Sequence, residues 1–121
     1  MHALIVDDSR FVRAFLRAML ARKGIRCEEA GDGLTGLERL RAGGFDLALL
    51  DWNMPVMNGL EMLIRVRREG FAELKVVMVT TEADNEFILR ALEAGADEYL
   101  MKPFDEEALD EKLALLGLVE V

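Results

Sequence analysis

The chain has 121 residues, a formal net charge of −8, 52% hydrophobic residues and 31% charged ones. That length fits one domain with a real core, and the composition is that of a folded chain, far from the disordered class. The acidic balance argues against unaided nucleic-acid binding, which needs a basic face, and the longest apolar runs are strand-sized, too short to span a membrane.

Apolar strand-sized runs alternate five times with helix-period segments, with no linker, repeat or low-complexity tract. The first strand is expected over roughly 3–7, ending in Asp7 and Asp8. The helix behind it takes Asp8 or Ser9 as N-cap, with Phe11, Phe15, Ala18 and Met19 as its inner stripe and a stop near Gly24. A second strand covers about 25–30 and contains Cys27, the only cysteine, which can form no internal disulfide and reads as a small, partly buried strand residue. The second helix starts near Gly33, packs Leu37 and Leu40, and ends at Gly43-Gly44.

The third strand, 46–51, delivers Asp51, and the third helix runs from Gly59 through Leu60, Leu63 and Val66. A fourth strand over about 75–80 ends in Thr80-Thr81-Glu82, before a helix at about 84–94 that turns Phe87, Ile88 and Leu92 inward and stops at Gly95. The last strand, 98–101, runs into Lys102-Pro103-Phe104, and the last helix, about 105–116, packs Leu109, Leu113 and Leu116. The seven methionines, Trp52 and Tyr99 read first as packing residues.

The pattern predicts an α/β chain of (βα)5 type. Strands one, three and four are continuously apolar, as required when helices cover both faces of a parallel sheet, whereas the more polar strands two and five suit its edges. With right-handed crossovers, the order 2-1-3-4-5 follows, and strands one and three become neighbours at the switch point where sites form.

That topology converges three carboxylates, Asp7, Asp8 and Asp51, with the Thr80 hydroxyl and the Lys102 ammonium. Crowded carboxylates repel unless a cation intervenes, and oxygen ligands with no histidine or thiolate nearby suit Mg²⁺. His2, the sole histidine, falls at what should be a frayed terminus, so the chain is not a histidine phosphodonor. Asp51 is the expected nucleophile, accepting a phosphoryl group as an acyl phosphate. One phosphoryl oxygen would face Mg²⁺, a second Lys102, and a third Thr80 with backbone N–H groups. Singly, an aspartate before a helix is usually a cap and a strand-end threonine or lysine is usually structural; the combination is what points to chemistry. A cis bond before Pro103 would turn the ammonium into the site.

These residues together resemble the receiver domain of two-component response regulators, over essentially the whole chain. The likeness is carried by Asp7-Asp8-Ser9-Arg10, Asp51-Trp52-Asn53-Met54-Pro55 with Asn58-Gly59-Leu60-Glu61, Met78-Val79-Thr80-Thr81-Glu82-Ala83, and Tyr99 with Lys102-Pro103-Phe104. It looks particularly like single-domain chemotaxis members. The resemblance implies a flavodoxin-like fold and Mg²⁺ held by Asp8, Asp51 and the Asn53 backbone carbonyl, with Asp7 assisting. It also implies phosphotransfer from a sensor histidine kinase. Thr80 would be the switch hydroxyl, Tyr99 the rotating aromatic and Lys102 the phosphate-binding cation. Asn53 and Glu82 would tune dephosphorylation, and Thr81, bulkier than the small residue common there, would restrict access. The output surface would be the helix 4–strand 5–helix 5 face with Arg90, Tyr99 and Lys112.

The expected partner is therefore a kinase donor with a downstream target, either a motor switch protein or a histidine phosphotransfer domain. The protein is expected to be cytoplasmic, with no nucleic-acid or membrane contact, and monomeric or weakly dimeric on phosphorylation. Residues 1–121 are expected to form one receiver domain without an output domain. It is not expected to be an enzyme beyond catalysing its own phosphorylation and dephosphorylation. Alternatives are a phosphorelay intermediate or a dimerising receiver cut from a larger regulator, for which Asp97 with Lys112 offers a surface ion pair. A haloacid-dehalogenase-like phosphatase would need an acid where Asn53 stands, and a flavodoxin-like FMN binder would meet repulsion from Asp7-Asp8.

Overall fold

A computed structural model describes residues 1–119 of the chain. Five strands and five helices alternate: β1 (His2–Val6), α1 (Arg10–Ala21), β2 (Arg26–Ala30), α2 (Gly33–Ala42), β3 (Leu47–Leu50), α3 (Gly59–Arg68), β4 (Lys75–Thr80), α4 (Asn85–Glu93), β5 (Glu98–Met101) and α5 (Glu106–Leu115). All strand pairs are parallel and the sheet order is β2-β1-β3-β4-β5, as the alternation and polarity of the runs predict.

Successive strand residues face opposite sides of the sheet, so each apolar strand feeds two cores. Leu4, Val6, Ala48, Leu50, Val76 and Met78 pack beneath α2 and α3 with Leu37, Leu40, Met62, Leu63 and Val66. Ala3, Ile5, Leu47, Leu49, Val77 and Val79 pack on the other side with Leu16, Leu20, Leu109 and Leu113 from α1 and α5. Side-chain caps fix the starts of four helices. Ser9, Asp32 and Asp105 each accept from a backbone N–H one turn on, and Asn58 forms a reciprocal capping box with Glu61.

Three expectations are corrected. The buried side of α1 is Leu16, Met19 and Leu20, flanked by half-buried Val12, while Phe11 (78% exposed), Phe15 (43%) and Ala18 face outward. Two helical stripes compete in that sequence, and periodicity alone cannot rank them; the aromatic one stacks on itself, with the Phe11 and Phe15 rings 6.4 Å apart. In α4, Phe87 and Ile88 are half-buried as expected, but Ala91 supplies the buried contact and Leu92 is exposed. His2 is not frayed: it opens β1, its backbone N–H donates to Asp46 at 2.9 Å, and its ring stacks on Phe45 at 4.4 Å.

Candidate functional site

The site lies at the carboxyl end of the sheet, and the ladder itself positions its side chains. Asp7, Asp51 and Lys102 are each the first residue past a strand, and each backbone N–H still bonds the neighbouring strand. The Asp7 N–H donates to Ala30 O at 3.1 Å, that of Asp51 to Val6 O at 2.9 Å, and that of Lys102 to Thr80 O at 2.9 Å. The three side chains thus start from sheet-like positions, with little freedom to drift apart. The loop after Asp51 is pressed against it: a Cβ on Gly59 would lie 2.0 Å from the Asp51 carbonyl oxygen, so only glycine fits there.

Carboxylate oxygens of Asp7, Asp8 and Asp51 lie within 4.8 Å of one another, with Asp7 and Asp51 buried and Asp8 exposed. Asp7 is fully engaged: its Oδ1 accepts from the Ser9 N–H at 2.8 Å and its Oδ2 from the Lys102 ammonium at 2.8 Å. Lys102 also approaches Asp51 Oδ2 at 3.4 Å. Burial pushes the Asp51 carboxyl above its ordinary pKa, the Asp7 charge pushes the same way, and Lys102 pulls against both. An all-oxygen, partly buried, tri-acidic cluster with one exposed member is a fitting donor set for a hard divalent cation.

Thr80 is fully buried at the end of β4, and its Oγ1 accepts from the Glu82 N–H at 3.3 Å. Tyr99 is also buried and donates its hydroxyl to the Glu82 carbonyl. The Glu82 peptide segment therefore touches both residues. Burial raises the Tyr99 hydroxyl to a pKa of about 12, with the Glu82 charge adding to it. Asn53 and Glu82 meet across the mouth of the cleft, the Asn53 amide donating to the Glu82 carboxylate at 3.0 Å. Thr81 is exposed and, with Phe11, Val12, Phe15, Lys102, Pro103 and Phe104, lines an apolar groove. The Lys102–Pro103 peptide bond is cis.

In α4, Arg90 lies over the Trp52 ring at 5.6 Å from its centroid, and Trp52 meets Phe87 edge-on at 5.0 Å. Trp52 thus connects the loop after Asp51 to α4. Lys112 pairs with Glu98 at 3.1 Å within the chain. Asp97 pairs with Arg67 at 3.0 Å and accepts the Val76 N–H at 2.8 Å. The Asp97 and Lys112 charges, expected as a link between two copies, are thus both satisfied internally.

Sequence reading missed Arg13. Its guanidinium donates to the Asp7 carbonyl at 2.6 Å and to Glu29 at 3.0 Å. An arginine on a predicted helix carries no signal of its own, and only the fold brings it beneath the acidic turn.

A family model for the response regulator receiver domain matches residues 3–114. The chain is 43% identical over 115 residues to chemotaxis protein CheY-3 of Vibrio cholerae, covering 93% of this chain and 88% of that one. It is 42% identical over 115 residues to chemotaxis protein CheY of Pseudomonas aeruginosa, covering 93% of each. Among solved structures, the Vibrio cholerae chemotaxis protein CheY4 superposes with a TM-score of 0.88 at 34% identity, over 94% of this chain and 96% of that one. A CheY-like receiver domain protein from Methanospirillum hungatei gives a TM-score of 0.88 at 34% identity, over 95% and 91%.

Proposed function

Since the chain belongs to the response regulator receiver domain family, we propose that it is a chemotaxis-type response regulator that accepts a phosphoryl group on Asp51. The carrying observation is the convergence of three carboxylates within 4.8 Å, one of them 3.4 Å from the Lys102 ammonium. Asp8, Asp51 and the Asn53 backbone carbonyl would hold Mg²⁺, with Asp7 assisting. Mg²⁺ supplies positive charge that offsets the phosphoryl oxygens during transfer.

The chain's own residues do the rest. An Asp51 carboxylate oxygen forms the new P–O bond as the P–N bond of a kinase phosphohistidine breaks, its electron pair returning to the imidazole. Lys102 is held beside Asp51 by Asp7 and is available to a phosphoryl oxygen once negative charge develops there. Thr80 offers its hydroxyl to another. In reaching the phosphoryl group it gives up the Glu82 N–H, and the Glu82 carbonyl is where Tyr99 is anchored. Phosphorylation at Asp51 is thereby coupled to Tyr99, which with Arg90 and Lys112 makes up the proposed output surface. A downstream protein such as a motor switch component would select the state it binds better. The Asn53–Glu82 bond and the bulk of Thr81 in the groove would set how readily donors and water reach the phosphoryl group, and so its lifetime.

Trp52 reports on this directly because it follows Asp51 and is packed against Phe87 and Arg90. Its fluorescence should change with Mg²⁺ and again with beryllofluoride, and the second change should vanish in Asp51→Asn. A response to beryllofluoride that survives Asp51→Asn would move the acceptor elsewhere.

A further inference from the structure

We propose that Arg13 is a positioning residue for the divalent cation, acting through the peptide unit between Asp7 and Asp8. This inference rests on the reading of Asp7, Asp8 and Asp51 as a cation site. Two of those acids are positioned through several contacts. Asp7 is held through its N–H, both carboxylate oxygens and its carbonyl, and Asp51 by its ladder bond and Lys102. Asp8 differs. It is exposed, and among the described residues no hydrogen bond or ion pair reaches its carboxylate. Where the Asp8 carboxylate lies is therefore set by its backbone, and the peptide plane that precedes it is pinned by Arg13 Nη1 on the Asp7 carbonyl at 2.6 Å.

The guanidinium is itself braced. Its Nε donates to Glu29 Oε1 at 3.0 Å, while Glu29 Oε2 is paired with Arg17 at 2.8 Å and Arg17 donates to the Cys27 carbonyl at 2.6 Å. A chain of charge-assisted bonds thus runs from the edge strand β2 to the acidic turn. The fork serves Glu29 and the carbonyl from two rigidly spaced nitrogens, a geometry that the compact ammonium of a lysine on a different stem does not reproduce. Outer partners of this kind commonly change metal affinity by about 10–100-fold when removed, because they orient the ligands.

The test is Mg²⁺ titration of the unphosphorylated full chain, read by Trp52 fluorescence and by the Asp8 amide shift, with thermal unfolding measured in parallel without Mg²⁺. Arg13→Met should weaken Mg²⁺ by about tenfold or more. Arg13→Lys, which keeps the charge but not the fork, should recover only part of that loss. Glu29→Gln, which leaves the Asp7 carbonyl bond but loosens its brace, should give a smaller weakening and covers the case in which Arg13→Met does not fold. Affinities within twofold of the unaltered chain for the folded variants, whatever their melting temperatures, would make Arg13 a structural staple and overturn the inference. Failure of the unaltered chain to bind Mg²⁺ would instead overturn the cation site itself.

Discussion

Lys102 lies closer to Asp7, at 2.8 Å, than to Asp51, at 3.4 Å. The ammonium offsets part of the negative charge that Asp7 and Asp51 bring to the acid cluster. With Mg²⁺ bound as proposed, Lys102 and the ion would be electrostatic rivals for the same carboxylates before phosphorylation. A unit charge at about 4 Å is worth about 1 kcal/mol in water and about 4 kcal/mol near a protein surface. Lys102→Met is accordingly predicted to tighten Mg²⁺ binding by at least about fivefold, measured by Trp52 fluorescence. Unchanged or weaker binding would show that the ammonium acts by ordering Asp7 and not by competing charge.

Val56, in the loop between Asp51 and α3, has a φ of 69° and is 77% exposed. A β-branched residue in the left-handed region costs roughly 1–2 kcal/mol, and its side chain returns little because it buries little. Val56→Asn, which tolerates that conformation, should stabilise the protein by about 1 kcal/mol in urea unfolding. A loss of stability would mean that the valine makes contacts its exposure does not suggest.

How much of this was legible in the chain follows from which forces are local. The strands and their order could be read because burial on both faces demands unbroken apolar runs such as Leu47–Leu50, and because charged β2 can only be an edge. Asp7, Asp51 and Lys102 could be placed together because position past a strand end is a property of the run before it. The helix faces were harder. Phe11 and Phe15 form as regular a stripe as Val12, Leu16, Met19 and Leu20, and only the shape of the core chooses between them. Arg13 was invisible because its partner at the acidic turn is a backbone carbonyl, which every residue has.

Tyr99 is the only tyrosine, which makes its ionisation readable by absorbance. The midpoint should fall near 12 in the folded protein, against the ordinary value of 10.0. The raised pKa favours the protonated form in the fold, so this stabilisation is complete below pH 10.0 and is lost as pH rises towards about 12. Tyr99→Phe should remove that alkaline loss and, by deleting the bond to the Glu82 carbonyl, cost about 1 kcal/mol at neutral pH. A midpoint near 10.0 would mean that Tyr99 faces solvent in solution.

Glu106 joins α5 to the end of α1 through Arg22 at 2.6 Å and Lys23 at 2.8 Å. These hydrogen bonds lower its carboxyl pKa from 4.5 to about 2. A depressed pKa gives stabilisation that is present above 4.5 and disappears as pH falls through about 2. Carbon-detected NMR titration should find its midpoint well below those of exposed glutamates, and Glu106→Gln should abolish that contribution to the acid limb of the stability profile. A midpoint near 4.5 would show the pairs to be transient in water.

Asp51, helped by its acidic neighbours, is the proposed phosphoryl acceptor. The most direct test of that role is intact-mass measurement after incubation with acetyl phosphate and Mg²⁺, followed by fragment mapping. One phosphoryl increment is expected, located on Asp51, dependent on Mg²⁺, absent from Asp51→Asn and strongly reduced in Asp8→Asn. An increment that persists in Asp51→Asn, or that forms equally well without Mg²⁺, would contradict that role.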